Sequence, residues 1–208
     1  MKNKINKPAF RNNFRMTLGR LYFTVKRYFE WCFDGKLYAI NKVQNERLEY
    51  KIFISQSPLR RALKNIDEYL NENKITNLKI AIEQINGIIL KPQEVFSYWK
   101  LIGKPTKSKG YKEGFVLHNG KIAKEIGGGL CQLSNLIYWI TLHTPLTITE
   151  RWRHNYDVFP DTGRDRPFAS GATCSFNYVD LQIKNTTQNT YQLILKLEND
   201  HLVGEIFH

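Results

Sequence analysis

A cysteine that follows three consecutive glycines is the residue of this sequence best placed to do chemistry. Gly127, Gly128 and Gly129 precede Leu130 and Cys131, and an apolar-periodic segment that predicts a helix begins there. The unpaired N–H groups and the positive end of a helix dipole favour a thiolate, the reactive form of cysteine. The same N–H groups can stabilise an oxyanion. The stretch therefore predicts a nucleophilic thiol in the first turn of a helix.

The stretch has a second interpretation, a binding site for an anion. Backbone N–H groups of a glycine turn and a helix N-terminus suit a phosphate or carboxylate. Gln132 and Ser134 follow the cysteine closely, so we include them among the candidate ligand-binding residues. Arg151 and Arg164 join them, because guanidinium groups bind such anions in a bidentate manner. In a third interpretation the turn is structural and the cysteine is merely buried.

A cysteine nucleophile needs a base, and the base usually needs an acceptor that orients it. His118 precedes the site and His143 lies at the far end of the same helix. His154 is the stronger candidate, because it follows a strand that leaves the helix and could return past the cysteine. Asp161 and Asp165 follow it as rival acceptors. The order Cys, His, Asp matches papain-like and transglutaminase-like cysteine enzymes, by analogy only.

The elements that must position these residues predict an α+β fold, with helices early, a mixed or antiparallel sheet late, and the cysteine-bearing helix at the centre. Asn119-Gly120 predicts a hairpin whose second strand leads directly into the glycines. Helices are predicted over residues 14–33, from Ser57-Pro58 to about Asn73, and over 78–85. Strands are predicted over residues 51–55, 88–90, 95–98, 115–118, 121–126, 146–152, 172–178, 181–184, 191–197 and 202–207.

The first fifty residues are the basic, aromatic part of the chain. The formal net charge of the whole chain is +12, which favours anionic partners. We predict a basic amphipathic N-terminal region over residues 1–50 and an α+β domain over 51–208. The N-terminal helix suits an anionic membrane surface, and the alternative is a helix packed on the domain with a solvated basic face. Nucleic acid is disfavoured as a partner, because no recognised binding motif accompanies the charge.

The cysteines and the N-terminus bear on cofactors and location. Cys32, Cys131 and Cys174 form no Cys-x-x-Cys pair and have no histidine at metal spacing, which argues against a zinc site or a disulfide framework. We therefore predict no metal and no cofactor. The basic N-terminus lacks the apolar core of a cleaved export signal. We predict a cytoplasmic protein, with peripheral attachment at the inner face of the membrane as the alternative.

Several segments resemble the VanW family. They are Gly-Gly-Gly-Leu-Cys-Gln-Leu-Ser-Asn-Leu-Ile-Tyr-Trp (127–139), Leu-His-Thr-Pro-Leu-Thr-Ile-Thr-Glu-Arg (142–151), Arg-His-Asn-Tyr-Asp-Val-Phe-Pro-Asp (153–161) and Ser-Gly-Ala-Thr-Cys-Ser-Phe-Asn-Tyr (170–178). Glu-Val-Phe-Ser (94–97) and Gly-Tyr-Lys-Glu-Gly (110–114) extend the similarity. It therefore runs from about residue 85 to 190.

The resemblance implies a bacterial protein linked to peptidoglycan precursors or to the response to glycopeptides such as vancomycin. The expected partner is then an anionic small molecule or a cell-wall precursor. Two functions stay open. One is a cysteine-dependent amide or acyl hydrolase or transferase with Cys131 as nucleophile, His154 as base and Asp165 or Asp161 behind it. The other is a non-catalytic binding module or membrane-associated accessory protein.

Overall fold

The computed structural model describes residues 13–60, 67–118, 121–153 and 171–208, without the side chains of residues 13, 117, 118, 121 and 122. The fold is α+β, as predicted. Its described helices are α1 (Asn13–Phe33), α2 (Glu68–Ile85), α3 (Tyr98–Ile102) and α4 (Cys131–Thr141), with a short 3₁₀ turn at Lys107–Lys109.

Three antiparallel sheets account for the strands of the described ranges. The largest has the order β1-β9-β8-β2 and comprises β1 (Lys51–Pro58), β2 (Ile88–Leu90), β8 (Tyr191–Glu198) and β9 (His201–Phe207). The second, β3-β7-β6, comprises β3 (Val95–Ser97), β6 (Thr147–Glu150) and β7 (Gln182–Lys184). The third is the predicted Asn-Gly hairpin, formed by β4 (Glu113–His118) and β5 (Lys121–Ile126).

The cysteine-bearing helix α4 lies at the centre of the core. Leu133, Leu136 and Ile140 recur at helical spacing and are fully buried. They face the largest sheet, where Gly204 of β9 lacks a side chain. A Cβ built on Gly204 would lie 3.2 Å from a methyl carbon of Leu136, so the helix packs closely on that strand. Burial of one face therefore fixes the direction in which α4 presents its first turn.

Two of the helix predictions around β1 and α2 are wrong. Ser57 and Pro58 do not start a helix, because the pairing of β1 with β9 continues to Pro58 opposite His201. The predicted break near Asn73 is also absent, since α2 runs through it. Asn73 and Asn77 instead donate hydrogen bonds to backbone carbonyls outside the helix, at Glu113 and Lys112 respectively.

Other strand predictions need smaller corrections. The segments 88–90 and 95–97 are strands, but they belong to different sheets and do not pair with each other. The predicted strand 172–178 is reduced to isolated bridges of Thr173 and Ser175. The division of the chain at residue 50 stays a prediction. On the N-terminal side of residue 50, Ala39 donates a backbone hydrogen bond to Val95, the first residue of β3, and Val43 donates one to Gly87, just before β2.

The predicted apolar stripe of α1 faces solvent, although the helix itself packs on the domain. Phe14 is 71% exposed, Phe29 64% and Phe33 72%. The helix packs through its opposite side, where Arg27 is buried and binds Glu150 with both terminal nitrogens at 2.6 Å. Among the described helices, none is both long enough and apolar enough to span a bilayer.

Candidate functional site

The glycine turn before Cys131 has a backbone that other residues rarely adopt. Strand β5 ends at Ile126, and Gly127 and Gly129 follow with φ values of +80° and +93°. Side chains are strained in this left-handed region, so glycine is required at both positions. The turn carries the chain from the hairpin into α4, which begins at Cys131 as predicted.

Close packing accounts for the middle glycine. A Cβ built on Gly128 would lie 2.2 Å from the carbonyl carbon and oxygen of Gly114 in β4. The amide of Asn77 in α2 joins the two segments, because it donates to the carbonyls of Gly128 (2.9 Å) and Lys112 (3.0 Å). A Cβ on Gly129 would collide with the side chain of Lys74. The turn is therefore held by the hairpin and by α2.

Two amides of the turn already serve the fold. The N–H of Gly127 donates to the carbonyl of Lys112 at 3.0 Å, and the N–H of Gly128 donates to that of Glu125 at 3.0 Å. The N–H groups of Gln132 and Leu133 likewise donate within the chain, to the carbonyls of Gly129 and Leu130. Leu130 provides no side-chain cap to the start of α4. Anion binding by the three glycines stays a prediction.

The thiol of Cys131 meets a second thiol. Its Sγ lies 3.7 Å from Sγ of Cys174 and 3.6 Å from the carbonyl oxygen of the same residue. Cys131 is partly exposed, whereas Cys174 is only 9% exposed. Burial raises the pKa of the Cys174 thiol well above its usual range, and the neighbouring sulfur of Cys131 acts in the same direction. Cys174 therefore keeps its proton at neutral pH.

Three side chains hold the backbone of residues 171–174, which we call the anchored segment, against α4. Ser134 donates to the carbonyl of Ala172 at 2.6 Å, and Asn135 accepts a hydrogen bond from the N–H of Ala172 at 2.7 Å. Arg151 donates from Nε (3.0 Å) and Nη2 (2.8 Å) to the carbonyl of Gly171. These contacts place Cys174 beside the first turn of the helix.

Three predicted ligand-binding side chains therefore have structural contacts. Ser134 is fully buried and also lies 3.4 Å from Sγ of Cys174. The guanidinium of Arg151 lies over the ring of Tyr138, 4.5 Å from its centroid. Gln132 donates to Oγ of Ser57 and to the carbonyl of Pro58, both at 2.8 Å, and ties α4 to β1. Their role in ligand binding stays a prediction.

The predicted base and its acceptors lie outside the described residues. This applies to His154, Asp161 and Asp165, and to the candidate ligand Arg164. His143 follows the end of α4 and stacks on Phe53 with ring centroids 3.7 Å apart, so it lies at the opposite end of the helix from the thiol, as predicted. The side chain of His118, at the end of β4, is among those not described.

A buried acidic cluster lies near the site and was not among the predicted site residues. The carboxylate of Asp180 is fully buried and accepts hydrogen bonds from Oγ of Ser97 (2.6 Å) and the N–H of Trp99 (3.0 Å). Burial raises its pKa to about 6. The backbone N–H of Asp180 donates to Glu150, the partner of Arg27. The sequence pattern that indicates such a buried carboxylate is an aspartate between two apolar residues, Val179-Asp180-Leu181.

Cys174 was not among the predicted site residues either. It is 43 positions from Cys131, and no sequence rule relates two cysteines at that separation. Within the described residues, no group of three or more His, Cys, Asp and Glu side chains is arranged to hold a metal ion.

Comparison with known proteins supplies a family context for this site. A family model described as VanW like protein matches residues 73–207. The chain is 38% identical over 175 residues to Vancomycin B-type resistance protein VanW of Enterococcus faecalis, which covers 84% of the chain and 63% of that protein. It is 28% identical over 116 residues to uncharacterized protein YoaR of Bacillus subtilis, covering 55% of the chain and 36% of that protein. The chain spans less than two thirds of the length of each relative. No solved structure matches it.

Proposed function

The chain belongs to the VanW family, and from this premise we propose that it is a cysteine-dependent amide or acyl hydrolase or transferase that acts on a cell-wall precursor. The observation that carries the proposal is the position of Cys131 at the first residue of α4, partly exposed and next to a buried thiol. The proposed substrate class is supported by the relative named as a vancomycin resistance protein. The net charge of +12 suits the anionic groups of such a precursor.

The two thiols of the site divide into a nucleophile and a bystander in this reaction. The helix N-terminus would favour a thiolate at Cys131, whereas burial keeps Cys174 protonated. Cys131 would attack the carbonyl carbon, and N–H groups at the start of α4 would stabilise the oxyanion. The base takes the proton of the Cys131 thiol and then gives it to the leaving amine or alcohol; His154 is the candidate for this base, with Asp161 or Asp165 as its acceptor. Water or a second acceptor then releases the acyl group from sulfur.

A peptidoglycan pentapeptide precursor serves as the probe in the test. Product formation under reducing conditions is followed by mass spectrometry for the wild type, Cys131→Ser and Cys32→Ser. We expect Cys131→Ser to lose at least about a thousandfold in turnover, as other nucleophile deletions do. Cys32→Ser is the matched control, because Cys32 is exposed on α1 and remote in sequence. Unchanged turnover in Cys131→Ser would contradict the proposal.

The same experiment separates the non-catalytic alternative. A binding module predicts that the precursor binds without turnover and that its affinity survives Cys131→Ala. The Gly127 and Gly128 amides are already bonded to the chain, so such binding would depend on other groups of the turn. Binding without turnover in the wild type would replace the enzyme hypothesis with this one.

A second function, attachment to an anionic membrane surface, is favoured by the exposed stripe of α1. Leu21 is 59% exposed, Val25 56% and Phe29 64%, and the basic residues Arg20 and Lys26 are exposed on the same helix. Apolar side chains enter the interface while lysine and arginine contact anionic headgroups. In a cytoplasmic protein, this attachment would be peripheral and at the inner face of the membrane.

Vesicle co-sedimentation tests this attachment. We expect the full chain to bind vesicles that contain phosphatidylglycerol, and to bind less in 1 M salt, where the Debye length is about 3 Å. Leu21→Glu with Phe29→Glu should abolish binding. Ile54→Glu is the control, because Ile54 is an exposed apolar residue on β1. Equal binding to neutral and anionic vesicles, or equal binding by the double variant, would contradict the attachment.

A further inference from the structure

Cys131 and Cys174 form a pair of thiols, of which the amide chemistry uses only Cys131. Their sulfur atoms are 3.7 Å apart, although the residues are 43 positions apart in the chain. A disulfide bond is about 2.05 Å long, so bond formation needs the sulfurs to approach by about 1.7 Å. We propose that the pair is a redox dithiol that exchanges with a small-molecule disulfide and closes into an intramolecular disulfide.

The two thiols differ in the way that such exchange requires. Cys131 is partly exposed and lies at a helix N-terminus, where a thiolate is favoured. Cys174 is 9% exposed and its pKa is raised by burial, so it does not react with reagents from solution. The accessible thiol therefore attacks first, and the buried thiol resolves the resulting mixed disulfide.

The anchored segment keeps the second thiol within reach. Ser134 and Asn135 of α4 bind the backbone of Ala172, and Arg151 binds the carbonyl of Gly171. The hydroxyl of Ser134 also contacts Sγ of Cys174 at 3.4 Å. Its single hydroxyl proton is donated to the carbonyl of Ala172 at 2.6 Å, so Ser134 acts by holding the backbone that carries Cys174 beside Cys131. Ser134 is thus a positioning residue for the resolving step.

The exchange balances as two thiol–disulfide substitutions. The Cys131 thiolate attacks one sulfur of the disulfide RSSR, an S–S bond forms between Cys131 and that sulfur, and the second RS⁻ leaves and takes a proton. Cys174 then loses its proton and attacks Sγ of Cys131, the mixed disulfide breaks, and the remaining RS⁻ leaves and takes that proton. Overall, two cysteine thiols are oxidised and RSSR is reduced to two RSH. The proposal does not depend on amide chemistry, but the disulfide form would lack the nucleophile.

Glutathione disulfide serves as the probe for the test, with the full chain in a Cys32→Ser background that removes the exposed third thiol. Samples are quenched in acid, alkylated and digested, and the peptides are identified by mass spectrometry. We expect a linked pair of peptides that contain Cys131 and Cys174. With Cys174→Ser, the mixed disulfide should accumulate on Cys131. With Cys131→Ser, Cys174 should stay unmodified.

Ser134→Ala distinguishes positioning from a merely structural role. We expect it to slow closure of the intramolecular disulfide about three- to tenfold while the rate of mixed-disulfide formation on Cys131 is unchanged, since only the resolving step depends on the position of Cys174. Mixed disulfides that persist on Cys131 in the Cys32→Ser protein, links between two chains, or no reaction with glutathione disulfide would each overturn the proposal. Amide turnover is measured under reducing conditions, where both thiols are reduced. A failure of the proposed amide chemistry is therefore distinguishable from a failure of the redox proposal.

Discussion

Gly128 is the residue of the glycine turn that we expect to tolerate an added methyl group least. Its φ is not in the left-handed region, so Gly128→Ala tests close approach alone. The new Cβ would lie 2.2 Å from the Gly114 backbone. Ordinary carbon contacts begin near about 3.5 Å, so the two segments must separate by roughly 1.3 Å.

The expected loss of stability in Gly128→Ala has two sources, overpacking against the backbone and a lost hydrogen bond. Overpacking against backbone costs up to about 3 kcal/mol. Loss of the hydrogen bond from Asn77 to the carbonyl of Gly128 adds about 1 kcal/mol. We therefore expect Gly128→Ala to lower the free energy of unfolding by about 3–4 kcal/mol, which is a large share of the typical 5–15 kcal/mol.

Urea denaturation followed by circular dichroism measures this change. Gly19→Ala is the matched control, because a Cβ built on Gly19 in α1 meets nothing within 4 Å. We expect that control to be neutral or stabilising by up to about 1 kcal/mol. A Gly128→Ala protein within about 1 kcal/mol of the wild type would refute the packing argument and favour a glycine kept free for a ligand.

Two further predictions concern the buried charges. Because burial raises the Asp180 pKa to about 6, its contribution to stability is present below the unfolded value near 4 and is lost as pH rises through 6. Between pH 7 and 4, denaturation should therefore show the wild type gaining about 2–3 kcal/mol relative to Asp180→Asn, and parallel pH profiles would contradict this. Arg27→Met removes the partner of Glu150 and should release α1 from the domain. Amide hydrogen exchange should then become faster in residues 19–31. Arg20→Met is the control, because Arg20 is exposed and its loss should leave the exchange rates unchanged.

The sequence was most informative where local signals and burial agree. Asn119-Gly120 between apolar runs predicted the β4–β5 hairpin, and the glycines predicted the turn that follows it. Leu133, Leu136 and Ile140 predicted α4, because one buried face at helical spacing satisfies both local preference and packing. The position of the thiol at the start of that helix followed from these elements.

Long-range pairing explains where prediction failed. Ser57-Pro58 has the local chemistry of a helix start, yet the β1–β9 ladder extends through both residues. Asn73 resembles a helix end, but its amide donates to the carbonyl of Glu113 and α2 continues. Such contacts are set by residues far away in the chain, so no local pattern reveals them.

The residues of the site also divide into those that local sequence predicts and those that distant contacts place there. Cys131 stood out because glycines and a helix surround it in sequence. Its neighbour Cys174 comes from an irregular segment that Ser134, Asn135 and Arg151 hold in place. Their polar side chains suggested ligand binding, although the contacts that the structure shows are with the chain itself.

The alkylation rate of Cys131 in the reduced protein tests the central claim most directly. Iodoacetamide is added at pH 7, and mass spectrometry follows Cys131 and the exposed Cys32 in the same sample. A thiolate stabilised at the start of α4 predicts that Cys131 reacts at least about tenfold faster than Cys32, with the difference narrowing at high pH as both thiols ionise. A Cys131 that reacts no faster than Cys32 at pH 7 would contradict the account.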